Sequence, residues 1–158
     1  MLLFLLSFLA AADGGVSADA ATPLPEQVCP DVGLAAMLSN TTLDQRGVMA
    51  LELRGLPDAA FQVRSFRSAS RVAVQLELSG PTPLSGKVAR ASLMGPNHQP
   101  LRIVEVMEVA PDSEDGIARI IVEAEAQSRE ARGVYTLELQ DAEGTRLLVL
   151  PGVRFPSI

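Results

Sequence analysis

The chain holds a single histidine, His98, inside Gly95-Pro96-Asn97-His98-Gln99-Pro100. Acyl transfer by a serine or cysteine nucleophile would have to use it as the base. Prolines on both sides place it in a turn, and no serine of the chain sits in a nucleophile elbow. The sole cysteine, Cys29, lies in a proline-rich stretch near the N-terminus. His98 therefore reads as an exposed turn residue.

Metal chemistry finds little more. One His and one Cys cannot make a zinc set. Calcium needs only oxygens, and Asp112-Ser113-Glu114-Asp115-Gly116 gathers them. The glycine comes too early for an EF-hand loop and no distal glutamate follows at the required spacing, so a solvated acidic loop is expected.

Paired carboxylates for glycoside cleavage could come from Glu105, Glu123 or Glu125. Glu123 and Glu125 stand two apart on one strand face beside Arg119, and the chain has no Trp to grip a sugar ring. Carbohydrate binding is disfavoured, no phosphate-binding glycine loop is present, and no cofactor is expected.

Arg64, Arg67 and Arg71, in "RSFRSASR", form a small basic group that could meet an anionic partner; charges around an ordinary strand–turn–strand would look the same. The chain as a whole carries 13 Lys and Arg against 19 Asp and Glu, a net charge of −6. That sign repels phosphate backbones, and scarce aromatic residues leave few rings for base stacking, so nucleic acid is disfavoured.

The elements that must position these side chains are strands. In Arg71–Leu78, Val72, Val74, Leu76 and Leu78 point one way, while Arg71, Ala73, Gln75 and Glu77 point the other. Met49, Leu51 and Leu53 alternate likewise. So do Ala118, Ile120, Val122 and Ala124, against outward Arg119, Glu123 and Glu125, and so do Tyr135, Leu137 and Leu139. Less regular runs cover 61–66, 87–94 and 101–109, and in the last the apolar residues change face near Glu105, which predicts a bulge.

Turn signals separate the runs: Gly80-Pro81-Thr82-Pro83, Gly95-Pro96-Asn97, Asp112 to Gly116, and Asp141-Ala142-Glu143-Gly144. Gly144 can take positive φ and close a tight hairpin. Pro151 would delete a ladder hydrogen bond in a central strand, so the last strand is expected at an edge, bent at Pro151-Gly152. Tyr135, the only tyrosine, stands at the start of the penultimate strand, where a sandwich of immunoglobulin type places a tyrosine corner. About seven or eight strands in about 110 residues predict an all-β, antiparallel, immunoglobulin-like sandwich.

Ahead of it, Asp31 is placed to cap a short helix in which Leu34, Met37 and Leu38 share one face, with Asn40 as the stop. The helix is too short to stand alone and must pack on the sandwich. "MLLFLLSFLAAA" has the length of a signal-peptide core followed by small residues, although it lacks a basic start. Residues 1–20 read as a signal peptide, 21–45 as linker and short helix, and 46–158 as the sandwich. Export to the periplasm or beyond is expected, with no stable membrane span after signal removal. Cys29 lacks the small residues that precede a lipid-modified cysteine. Asn40-Thr41-Thr42 spells a glycosylation sequon that reads better as a helix end or turn.

The run "RIIVEAEAQSREARGVYTLELQDAEGTRLLVLPGVRFP", with "RSASRVAVQLEL" and "LMGPNHQPLRI", resembles the C-terminal half of a paralogous family of secreted proteins from myxobacteria. The resemblance covers about residues 46–156 by order and spacing. Gln140 departs from the aromatic residue the family often has there, and the family's long N-terminal half is missing. The resemblance implies an exported, β-rich protein with no assigned activity. The expectation for function is thus a non-catalytic interaction module that binds another protein through an edge strand or loops. A self-associating envelope protein and a carboxylate-dependent hydrolase are the alternatives.

Overall fold

Aliphatic residues recurring with period two impose an extended chain with one oily and one polar face. The computed structural model describes residues 32–39, 48–54, 61–78, 84–111, 116–127 and 129–157. Its elements are α1 (Leu34–Ser39), β1 (Met49–Leu53), β2 (Phe61–Arg67), β3 (Arg71–Leu78), β4 (Arg90–Met94), β5 (Pro100–Leu101), β6 (Ile103–Val109), β7 (Ala118–Glu125), β8 (Tyr135–Gln140) and β9 (Arg146–Val153). The expected turn around His98 is a tight one over Pro96–His98, with Asn97 in the left-handed region. The proposed signal segment, Cys29, Asp31, the Asn40 sequon, the Gly80–Pro83 turn and Asp112–Asp115 lie outside the described residues.

Every pairing among the described residues is antiparallel. One sheet runs β1-β2-β3-β7-β6 and the other β5-β4-β8-β9. The expected strand over 101–109 is in fact two, because the chain leaves one sheet after Leu101 and enters the other at Ile103. Ile103 pairs with Ala124 and Glu105 with Glu123, which leaves Val104 as the extra residue of the predicted bulge.

The two sheets bury their aliphatic faces together. Val63, Val72, Val74, Leu76, Ile120 and Val122 of the five-stranded sheet meet Leu93, Leu137, Leu139 and Leu150 of the four-stranded one. β8 and β9 form the expected hairpin. Its turn is closed by Asp141, whose backbone N–H donates to the Thr145 carbonyl and whose Oδ1 accepts from the Thr145 N–H, with Gly144 at φ +87°. Strand β9 is an edge, and Leu137 opposite Leu150 with Tyr135 opposite Val153 places a bulge at Pro151-Gly152, where Gly152 takes φ +85°.

The polar face of β3 and β7 is not solvated as its alternation suggests. Helix α1 lies across it, so that Leu34, Ala35 and Leu38 form a second buried cluster with Phe66, Ala73 and Ile121. Glu123, read above as outward, is fully buried. One carboxylate oxygen accepts from the backbone N–H of Ala35 at 2.8 Å, and the other accepts from Arg71 at 2.9 Å. A strand carboxylate thus caps the first turn of the helix from below and satisfies a donor that would otherwise be orphaned. Gly33 permits this approach, since a Cβ there would fall 2.8 Å from Glu123 Oε2.

A helix of six residues is unstable by itself, and burying Leu34 and Leu38 contributes about 2 kcal/mol each to hold it down. Glu123→Ala should therefore cost about 3 kcal/mol in urea unfolding, because it removes a carboxylate that Arg71 holds at 2.9 Å and strands the buried Ala35 N–H. Gly33→Ala should speed amide exchange in α1 while leaving β8 and β9 protected.

Candidate functional site

At one end of the sandwich β2 finishes at Arg67, β3 starts at Arg71, β7 finishes at Glu125 and β8 starts at Tyr135. The connections here are 68–70, 95–99 and 126–134, and the segment 154–157 returns to the same end. Arg67 fixes them to one another. It shares the parity of Phe61, Val63 and Ser65, so it points between the sheets and is only 2 % exposed. Its guanidinium donates to the carbonyls of Gln127 (3.0 Å), Glu130 (2.9 Å), Ala131 (3.5 Å) and Pro156 (3.5 Å). The planar, fork-shaped guanidinium suits several acceptors at once in a way an ammonium does not.

Tyr135 supplies the second anchor. Its hydroxyl is hydrogen-bonded to the backbone of Ala131, four residues upstream, and its ring meets Phe155 edge-on with centroids 5.6 Å apart. Gly95 lies so close beneath the ring that a Cβ would fall 2.5 Å from it. Burial pushes the Tyr135 phenol above its ordinary pKa of 10.0, and the nearby Glu130 charge adds to the rise; the Ala131 hydrogen bond and the Arg67 charge pull the other way.

All three non-glycine residues with positive φ among the described residues stand at this end: Asn97 (+59°), His98 (+56°) and Ala131 (+54°). Each costs about 1–3 kcal/mol and persists only where its surroundings over-determine it. Arg67 and Tyr135 do that for Ala131.

Over this scaffold runs a chain of shallow cavities. One of about 520 Å³ is lined by Ser70, Arg71, Leu101, Arg102, Glu125 and Gln127. It shares Pro100, Leu101 and Glu130 with a neighbour of about 290 Å³, which adds Pro96, Asn97, Arg129 and Arg132. Arg102 pairs with Glu125 at 3.1 Å in the open, a contact worth little in water. Arg129 and Arg132 are exposed and form no ion pair among the described residues.

The expected basic trio is therefore dispersed. Arg67 is interior and unavailable to a partner, a correction whose cause is its place on the inward face of β2. Arg64 and Arg71 are on the opposite face, where Arg64 approaches Glu77 at 3.5 Å and Arg71 holds Glu123. Sequence reasoning missed Arg129 and Arg132 because nothing local distinguishes two loop arginines. The parity of Arg67 with Phe61 and Val63 was a signal that could have separated it from its neighbours.

Of the carboxylates considered for hydrolysis, Glu105 lies opposite Glu123 across β6 and β7. Glu123 has both oxygens engaged beneath α1, and Glu125 is paired with Arg102. His98 is exposed. Among the described residues no three His, Cys, Asp or Glu side chains cluster as a metal site, and no helix is long and apolar enough to cross a membrane. No family model, curated protein or solved structure matches the chain.

Arg67→Met should cost about 3 kcal/mol, since the buried carbonyls of Ala131 and Pro156 and the part-buried one of Glu130 lose this donor together. Tyr135→Phe should cost about 1 kcal/mol. A raised phenol pKa means the folded state holds its proton longer than the unfolded chain. The associated stability is complete below pH 10.0 and is lost as pH rises through the folded value. With one Tyr and no Trp in the chain, the ultraviolet absorbance of tyrosinate during an alkaline titration reports this residue alone, and Tyr135→Phe should flatten the alkaline fall in stability.

Proposed function

We propose that this protein is an exported, non-catalytic sandwich module of immunoglobulin type that binds another protein through its arginine-bearing loop end, and that it belongs with the secreted myxobacterial proteins its sequence resembles. The observation that carries the reading is the pairing of a fixed scaffold with unspent charge. Arg67 and Tyr135 fix Gln127, Glu130 and Ala131, and Arg129 and Arg132 stand beside them, exposed and without ion-pair partners among the described residues. Binding loops on a rigid sandwich end lose little freedom when they bind.

Strand order supports the immunoglobulin assignment. The row β2-β3-β7-β6 matches the A-B-E-D order of such domains, and β4-β8-β9 matches C-F-G, with β5 beside β4 and β1 added outside β2. Tyr135 then begins strand F, the position of the tyrosine corner. Export rests on the apolar start of the sequence and the small residues after it.

The test is capture from an envelope extract, with the full chain as bait. A discrete partner should be retained at micromolar bait and lost with Arg129→Glu/Arg132→Glu, whose circular dichroism should match the parent. Equal capture by both baits would refute the assignment of the loop end.

A second reading, self-association, is favoured by β1. It pairs only with β2 among the described residues, and Met49 and Leu51, expected inward, are 47 % and 39 % exposed because the smaller sheet does not reach them. An unpaired apolar edge is a template for another strand. Sedimentation should show a concentration-dependent dimer that Leu51→Lys abolishes; a monomer throughout would dismiss this reading.

A further inference from the structure

We infer that the loop end recognises an extended, acidic polypeptide segment, gripped by its carboxylates on Arg132, Arg129 and Arg102; this rests on the protein-binding reading above and names the chemistry of the partner. Among the described residues six arginines belong to this end, namely Arg67, Arg71, Arg102, Arg129, Arg132 and Arg154, against four carboxylates, Glu105, Glu123, Glu125 and Glu130. A chain of net charge −6 thus gathers an excess of positive charge at one pole. That arrangement draws an anionic ligand to this end and repels it elsewhere.

The buried groups subtract themselves. Arg67 is spent on main-chain carbonyls and Arg71 on Glu123. What remains for a ligand is Arg129 and Arg132, with Arg102 loosely held by Glu125 at 3.1 Å and able to exchange it for an incoming carboxylate. Arginine forks bind carboxylates in two-point fashion.

The lining tells a peptide from a denser polyanion. Pro96, Pro100 and Leu101 add apolar surface to an otherwise mainly polar lining, enough to meet side chains between the acidic positions. Glu125, Glu130 and Gln127 interleave acceptors with the arginines, which a peptide can meet with its backbone N–H donors between carboxylates, whereas a polyphosphate carries no donor for them. The two aromatic rings nearest, Tyr135 and Phe155, are buried, so no platform is offered to nucleobases.

The experiment is calorimetric titration of the full chain with a synthetic peptide alternating glutamate and leucine. A lysine–leucine peptide and inorganic polyphosphate form the comparison arms. The acidic peptide should bind, should weaken as salt is raised, and should lose about tenfold in affinity with Arg129→Ala/Arg132→Ala, a change of about 1.4 kcal/mol. Lys87→Ala, at the far end of the sandwich, should leave the titration unchanged. No binding of the acidic peptide, binding indifferent to the double variant, or tighter binding of polyphosphate would each overturn the inference. Failure here alongside charge-dependent capture of a partner from extract would remove the acidic segment and leave the protein-binding reading standing. Loss of both would remove both.

Discussion

A guanidinium taken out of water must find acceptors for its donors or destabilise the fold that buries it. The two terminal nitrogens of Arg67 meet that constraint by drawing in the carbonyls of Gln127, Glu130 and Ala131 from one segment and of Pro156 from another. Neither segment has ladder partners of its own at those carbonyls, so one side chain substitutes for a piece of sheet. The shape of the whole end then follows: Ala131 is forced to positive φ, Tyr135 reaches it with its hydroxyl, and Phe155 closes on the tyrosine ring. Remove the charge, and these contacts have no common anchor.

Glu123 plays the matching part on the other face. There the unmet need is the helix's, since a six-residue helix offers orphaned N–H groups and little cooperativity. A carboxylate from the middle of β7 supplies the acceptor, and Arg71 offsets its charge. The five-stranded sheet is consequently clad on both sides, by the second sheet and by α1. The four-stranded sheet has no such cover among the described residues, and Val149 on β9 is 41 % exposed.

Strands β3, β7 and β8 were legible in the sequence because period two is a local property, readable without knowing the neighbours. The hairpin at Asp141–Thr145 and the Pro151-Gly152 bulge were legible for a related reason: glycine and proline restrict the backbone wherever they stand. Glu123 was not, because its partner N–H is 88 residues away and its flanking residues, Ala124 and Val122, say nothing of a helix overhead. The split of 101–109 was also hidden, since Arg102 leaves one sheet for the other without a glycine or proline to mark it. Of the loop end, Tyr135 was readable from its place at a strand start, but Arg129 and Arg132 acquire meaning only once the connections that carry them are fixed in space.

The edges of the two sheets differ in what they would accept. β5 is two residues long, β6 is kinked at Val104, and β9 is interrupted by Pro151; each offers too broken a row of donors to extend a ladder. Among the described residues β1 alone is regular. Strand addition at β1 by a like molecule would consume the receptive border each copy shows among those residues, so growth through it would end at a closed pair.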